Sequence, residues 1–227
     1  MNLFLPDMFI DTLAGSRRAE PLPSWAALLE GFYRRAGLSS PVLEEIEAAA
    51  VPQPYQALLV HSSDMTPTLT GYYGQAMKLQ VLNREHQDDS YQREITLWLA
   101  DGSRPVEYGV IRICLDLLPS AARLGVLQAQ RPLGEILHRE SIPHMSWPNA
   151  FFRLKSDAHA GAALGFPRHG FLYGRRNLLL DASRRLLADV IEVLAPVGKD
   201  PLSASLGKSE FRTTPLSRSC PDAIRHI

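Results

Sequence analysis

Tyr91-Gln92-Arg93-Glu94-Ile95-Thr96-Leu97-Trp98-Leu99-Ala100-Asp101-Gly102 decides the fold. Its β-branched and aromatic residues favour an extended chain, and Asp101-Gly102 supplies a tight hairpin turn. In an extended chain alternate side chains share a face. Tyr91, Arg93, Ile95, Leu97 and Leu99 therefore lie on one side, and Gln92, Glu94, Thr96, Trp98 and Ala100 on the other. The first side is apolar apart from Arg93. The same period of two continues on both flanks. Met77–Arg84 predicts a strand before this one, and Pro105–Leu115 a strand after the turn, ended by Leu117-Leu118-Pro119.

Further out the pattern changes. Ser24 can cap a helix in which Trp25, Leu28, Leu29 and Phe32 recur at helical spacing until Ala36-Gly37. A second short helix is expected from Ser40 or Pro41 to Ala50, with Glu44, Glu45 and Glu47 on its wet side, before Pro52 and Pro54 break the chain. Leu58–Val60 leads into a helix over 64–73, capped by Ser63 or Asp64, with Pro67 in its first turn and Gly74 at its end. Arg131–Leu137 reads as a helical turn after a Pro-Leu-Gly bend. Phe171–Leu180 and Leu186–Leu194 are two more strands, turned by Asp181-Ala182-Ser183-Arg184. The stretch 141–169, rich in His, Pro, Gly and Ala, is read as a lid or an insertion.

Segregated helices and antiparallel strands predict an α+β fold rather than a parallel βαβ one. The expected division is an N-terminal helical extension over 1–54, a main domain over 55–197, and a tail over 198–227. In the tail apolar content falls and Ser, Pro and basic residues rise, so it is expected to be disordered.

The bulk properties exclude several function classes. The chain has 227 residues, of which 45% are hydrophobic and 21% charged, with a formal net charge of zero. That balance supplies no overall field for nucleic acid or an anionic membrane, so nucleic acid is not an expected partner. Cys114 and Cys220 make no disulfide framework and are expected to be reduced thiols. The N-terminus lacks a basic region and is interrupted by Asp7 and Asp11, unlike a signal peptide. No run of eighteen apolar residues is present, so no membrane span is expected. The expected location is cytoplasmic.

Two charged residues stand on apolar strand faces. A guanidinium in the row of Tyr91, Ile95 and Leu97 must find an anion, because burying it unpaired is costly. Arg93 is either a bidentate clamp for a ligand carboxylate or half of an ion pair with Glu107 or Glu192. Glu192 shares a face with Leu186, Ala188, Val190 and Leu194. Desolvation there is expected to raise its pKa and make it a proton donor or acceptor; the alternative is a pair with Arg93 or Arg175. Gly174-Arg175-Arg176 reads as a bulge with solvated arginines or as a second anion site. The seven histidines show no metal-ligand spacing, and neither a phosphate loop nor a nucleophile elbow is present. Neither metal nor cofactor is expected.

In this order, the segments resemble the chorismate lyase (chorismate pyruvate-lyase) family. Asp64-Met65-Thr66 is similar to its segment entering a helix. Arg93-Glu94-Ile95 with Ala100-Asp101-Gly102 is similar to its R-E-I strand and A-D-G hairpin. Pro132-Leu133-Gly134 is similar to its P-L-G bend. Gly174-Arg175-Arg176, with Val190–Pro196 carrying Glu192, is similar to its G-R-R strand and its terminal strand. The match covers residues 55–196.

The resemblance implies a monomeric α+β fold, an antiparallel sheet with helices packed on one face and a ligand buried under loops. It implies cofactor-free conversion of chorismate, a small-molecule substrate, into 4-hydroxybenzoate and pyruvate. Carried over residue by residue, the ligand contacts are Met65, Arg93, Leu133 and Glu192, with Arg93 on the ring carboxylate and Glu192 facing the 4-position oxygen. Arg93 and Glu192 are then the catalytic pair, and aromatisation of the ring supplies the driving force. Pro105-Val106-Glu107-Tyr108-Gly109 departs from the family's W-x-x-x-R run, whose arginine is missing near Gly109. That implies a divergent branch. Two other outcomes remain open: another hydroxybenzoate as product, or a non-catalytic domain that senses a small aromatic carboxylate. Regulators that sense effectors with this fold carry a winged helix ahead of it. Here only about fifty residues precede the matching region, with no helix-turn-helix pattern.

Overall fold

A computed structural model of the chain describes residues 23–166 and 170–197. In chain order the elements are α1 (Ala27–Arg35), β1 (Leu43–Ile46), α2 (Tyr55–Leu59), α3 (Met65–Tyr73), β2 (Met77–Gln87), β3 (Ser90–Leu99), β4 (Pro105–Cys114), α4 (Ser120–Gln128), α5 (Leu133–Arg139), β5 (His144–Lys155), α6 (Ala160–Ala163), β6 (Phe171–Asp181) and β7 (Leu186–Leu194). The strands form one antiparallel sheet in the order β1-β5-β6-β7-β4-β3-β2. The α+β class and the strands expected around Arg93 and Glu192 are present.

Local chemistry explains the hairpins. Gly102 turns β3 into β4 with φ of 76°, a value glycine adopts without steric penalty. At the other end of α3, Gly74 takes the left-handed conformation and its N–H closes the helix on the Thr70 carbonyl. Gly174 on β6 has a different reason. A Cβ there would stand 2.5 Å from both the Glu192 carbonyl and the Phe152 ring, so β6 can lie against β7 and β5 only without one.

Helices cover both faces of the sheet. On one face α1 and α6 pack with Tyr108, Phe152, Ile191 and Val193. On the other face two apolar clusters stand side by side. One joins α2 and α3 to Ile95, Leu97 and Leu194; the second joins α4 and α5 to Ile111, Leu179 and Ala188. Each fully buried Leu or Ile stabilises this packing by about 1.5–3 kcal/mol. The candidate site lies between the two clusters.

Two expectations are corrected. Residues 40–50 are not a helix: Leu43–Ile46 form the edge strand β1, followed by a single 3-10 turn over Ala48–Ala50. The glutamates that looked like a wet helix face bind across the strand instead. Glu44 accepts two hydrogen bonds from Arg153 at 2.8 and 2.6 Å, and Glu45 accepts one from Trp25 at 3.1 Å. The stretch 141–169 is not a lid, since it supplies the twelve-residue strand β5 between β1 and β6. The expected 198–227 tail and most of the 1–54 segment's first half lie outside the described residues.

Candidate functional site

A cavity of about 560 Å³, its opening included, lies between the sheet and the first turns of α3 and α5. All four expected contact residues line it: Met65, Arg93, Leu133 and Glu192. Ile95, Leu97, Gly109 and Ile111 form its floor on β3 and β4. Met65 and Leu133 open α3 and α5, and both side chains are buried. Asp64 precedes α3 but does not cap it through its side chain. Its Oδ2 lies 2.8 Å from His144 Nε2 instead, which ties the start of α3 to β5.

Arg93 reaches the cavity as alternation along β3 predicts. It is 2% exposed and among the largest fully enclosed side chains. The expected ion pair with Glu107 or Glu192 is not formed. Among the described residues its one side-chain hydrogen bond is from NH2 to the Arg131 carbonyl at 3.2 Å, and its Nε and NH1 have no partner. Burial, with no carboxylate to oppose it, draws the guanidinium pKa down to about 10. The group therefore remains a cation at neutral pH, with two donors unfilled.

Glu192 takes the ion-pair alternative. Its Oε2 accepts from Arg175 Nε at 2.5 Å, directly across β6 and β7. Arg175 is fully buried, which overturns the solvated reading of Gly174-Arg175-Arg176. Its other nitrogens donate to the carbonyls of Leu59, His61 and Ser63 at 3.1, 2.9 and 3.1 Å. Leu59 ends α2, and His61 and Ser63 lie between α2 and α3, so Arg175 binds the carbonyls of a segment whose helix has just ended. Arg176 is also paired, through two hydrogen bonds to Asp189 at 2.8 and 2.9 Å. The side chain expected to be free at position 192 is thus held by a guanidinium.

The raised acid is Glu107, a residue the sequence pattern offered only as an ion-pair partner for Arg93. It is buried, and its Oε2 has no partner. Desolvation first and the neighbouring Glu192 second push its pKa well up, and Arg175 offsets this only in part. Its position on the cavity face was available from the alternation Glu107, Gly109, Ile111. The importance of Arg175 was not, because only strand order reveals which carbonyls it reaches. The cavity therefore has an unmatched cation at one end and a carboxyl group beside an ion pair at the other, separated by apolar floor. Among the described residues no group of His, Cys, Asp and Glu could hold a metal ion, and no helix is long and apolar enough to cross a membrane.

No protein-family model matches the chain, and no curated protein does. Among solved structures it is similar to PhnF from Mycobacterium smegmatis, at 11% identity and TM-score 0.44, over 60% of this chain and 65% of that one. The effector domain of the same protein matches at 11% identity and TM-score 0.44, over 58% of this chain and 88% of that one. A GntR-family transcriptional regulator from Bacillus cereus matches at 11% identity and TM-score 0.41, over 62% of this chain and 99% of that one. The chain thus spans just under two thirds of the full-length PhnF structure and nearly all of the Bacillus cereus one.

Proposed function

We propose that this protein binds a small aromatic monocarboxylate in the cavity between α3, α5 and the sheet, with Arg93 as the carboxylate clamp. The observation that carries this reading is the buried guanidinium with two unfilled donors. A bidentate carboxylate fills both and neutralises the charge. The apolar floor of Ile95, Leu97 and Ile111 and the space above Gly109 suit a flat ring. Met65 and Leu133 close over it. Glu192, fixed by Arg175, faces the ring's far side as an acceptor.

A second reading is catalytic: elimination of pyruvate from chorismate to leave 4-hydroxybenzoate. It is favoured by a proton-bearing carboxyl, Glu107, at the end of the cavity away from Arg93. The binding reading comes first because Glu192, the acid that the chorismate lyase resemblance implies, is engaged by Arg175.

Calorimetric titration with benzoate and 4-hydroxybenzoate tests the clamp. Wild type is expected to bind at least one of them, and Arg93→Met to lose at least a hundredfold, the worth of about 3 kcal/mol in charge-assisted hydrogen bonds. Equal binding by wild type and variant would remove Arg93 from the site. Incubation with chorismate then separates the two readings. Pyruvate released above the uncatalysed rate, and abolished by Arg93→Met, establishes the lyase; binding without release establishes the non-catalytic receptor.

A further inference from the structure

Glu107 is the buried polar group that the carboxylate clamp leaves unused. It stands on β4 two residues before Gly109, which lies directly opposite Glu192 on β7. Its side chain lines the cavity, the residue is 4% exposed, and Oε2 has no hydrogen-bond partner among the described residues. A Cβ at position 109 would come within 3.4 Å of Glu107 Oε1 and 3.3 Å of Ile95 Cδ1. The missing side chain at Gly109 therefore leaves Glu107 room on the cavity floor.

The position of Glu107 relative to Arg93 matters as much. Arg93 is paired across the sheet with Ile111, four residues further along β4 than Glu107. At ~3.4 Å per residue that is a strand distance of about 14 Å, from which both side chains reach inward. The two groups stand apart on the lining of one cavity.

The charge balance decides what Glu107 does there. An ionised Glu107 would add a second negative charge beside Glu192, whose one guanidinium partner already serves it and three carbonyls. A protonated Glu107 is neutral and presents an O–H, the state that burial and Glu192 both favour. A neutral acid in an apolar site is a hydrogen-bond donor, and no protein acceptor meets Oε2.

We infer that Glu107 is the specificity-determining residue at the far end of the cavity, donating a hydrogen bond to a ligand oxygen. The preferred ligands are then aryl carboxylates that carry a hydroxyl or ether oxygen across the ring from the carboxylate. With such a ligand every charge is matched: the carboxylate by Arg93, and Glu192 by Arg175. A methyl group in that place leaves the acid without an acceptor, and an aromatic amine presents mainly donors to a donor. This rests on the proposed binding of an aromatic monocarboxylate at Arg93.

The test is calorimetric titration of 4-hydroxybenzoate, 4-aminobenzoate and 4-methylbenzoate into wild type, Glu107→Gln and Glu107→Leu. Glutamine keeps a donor at that point and leucine does not. Circular dichroism and a thermal melt confirm that each variant is folded, and Glu107→Gln carries the test alone where Glu107→Leu is not. Wild type is expected to prefer the hydroxyl over the methyl ligand about tenfold, the equivalent of one net hydrogen bond. Glu107→Gln should keep at least half of that preference on a logarithmic scale. Glu107→Leu should erase it while still binding 4-methylbenzoate. A purely structural role would weaken all ligands alike and leave their ratios unchanged, and that result overturns the inference. So does a wild type that binds all three ligands equally, with the Arg93 clamp left standing. Failure of wild type to bind any of them removes the clamp and the inference together.

Discussion

Arg93→Met is expected to make the protein more stable and unable to bind its ligand. Arg93 buries a guanidinium whose Nε and NH1 have no partner among the described residues. Each buried donor left unmade costs about 1–3 kcal/mol, so the pair opposes folding by about 2–6 kcal/mol. The fall in its pKa from 12.5 to about 10 leads to a similar figure, about 3 kcal/mol at 1.36 kcal/mol per pKa unit. Methionine has a flexible side chain that follows the same path through the cavity wall. It forfeits the hydrogen bond to the Arg131 carbonyl, worth about 1 kcal/mol, and leaves a small void. The net gain is about 2 kcal/mol, which raises Tm by about 4–8 °C for a domain of this size. Differential scanning fluorimetry without ligand, then with 4-hydroxybenzoate, reads both halves. Wild type should gain Tm on adding the ligand and the variant should not. A variant that melts lower than wild type and still responds to the ligand would refute the reasoning, because Arg93 would then be satisfied in the fold and idle in the site.

Three other perturbations probe the frame around the site. Arg175→Met should cost about 3–5 kcal/mol in urea denaturation, because it strands Glu192 beside Glu107 and removes the guanidinium donors to the Leu59, His61 and Ser63 carbonyls; a loss under 1 kcal/mol would show that the pair is dispensable. Gly174→Ala should cost about 3 kcal/mol, since its methyl would meet the Glu192 carbonyl and the Phe152 ring at 2.5 Å. Gly109→Ala, with nearest contacts of 3.3 and 3.4 Å, should fold close to normally and weaken the ligand instead. On the opposite face, His159 Nε2 lies 2.5 Å from Glu94 Oε1. Close contact with the Glu94 carboxylate raises the His159 pKa against the opposing effect of burial. Burial alone would raise Glu94, but the contact with His159 and the hydrogen bonds from Tyr108 and Asn83 outweigh it and hold Glu94 low. The histidine's contribution is therefore complete below its unfolded value, about 6.5, and fades as pH rises through the folded one. The glutamate's is complete above about 4.5 and fades as pH falls through its folded value. Chemical denaturation across pH 4–9 should show both limbs in wild type, and His159→Gln should flatten the alkaline one; an unchanged alkaline limb would show that this pair does not carry it.

The resemblance to chorismate lyase pointed to four residues scattered from position 65 to 192, and the fold brings all four to one cavity. Arg93 and Glu192 were legible by themselves, since each is a charge on an otherwise apolar alternating face. β5 was not. Its outer end turns Met145 and Trp147 toward solvent, and its register shifts between Pro148 and Ala150, so buried and exposed positions do not follow hydropathy. β1 was read as a helix for a related reason. Four residues rich in glutamate carry no period of their own, and the edge of β5 imposes the extended form through backbone pairing and Arg153.

What the sequence by itself determined is that β2, β3, β4, β6 and β7 exist, where their hairpins turn, and that Arg93 and Glu192 stand on apolar faces. Those follow from propensity and from the two-residue repeat, which are local. Which charge meets which was decided by tertiary structure alone. Alternation assigns a face but no neighbour, and neighbours follow from strand order. β7 lies between β6 and β4, so Glu192 has Arg175 on one side and Gly109 on the other. Arg93 sits one strand further out, beyond β4, facing Ile111. The carboxylate that could have neutralised it is held by another arginine, and that pairing leaves Arg93 free for a ligand.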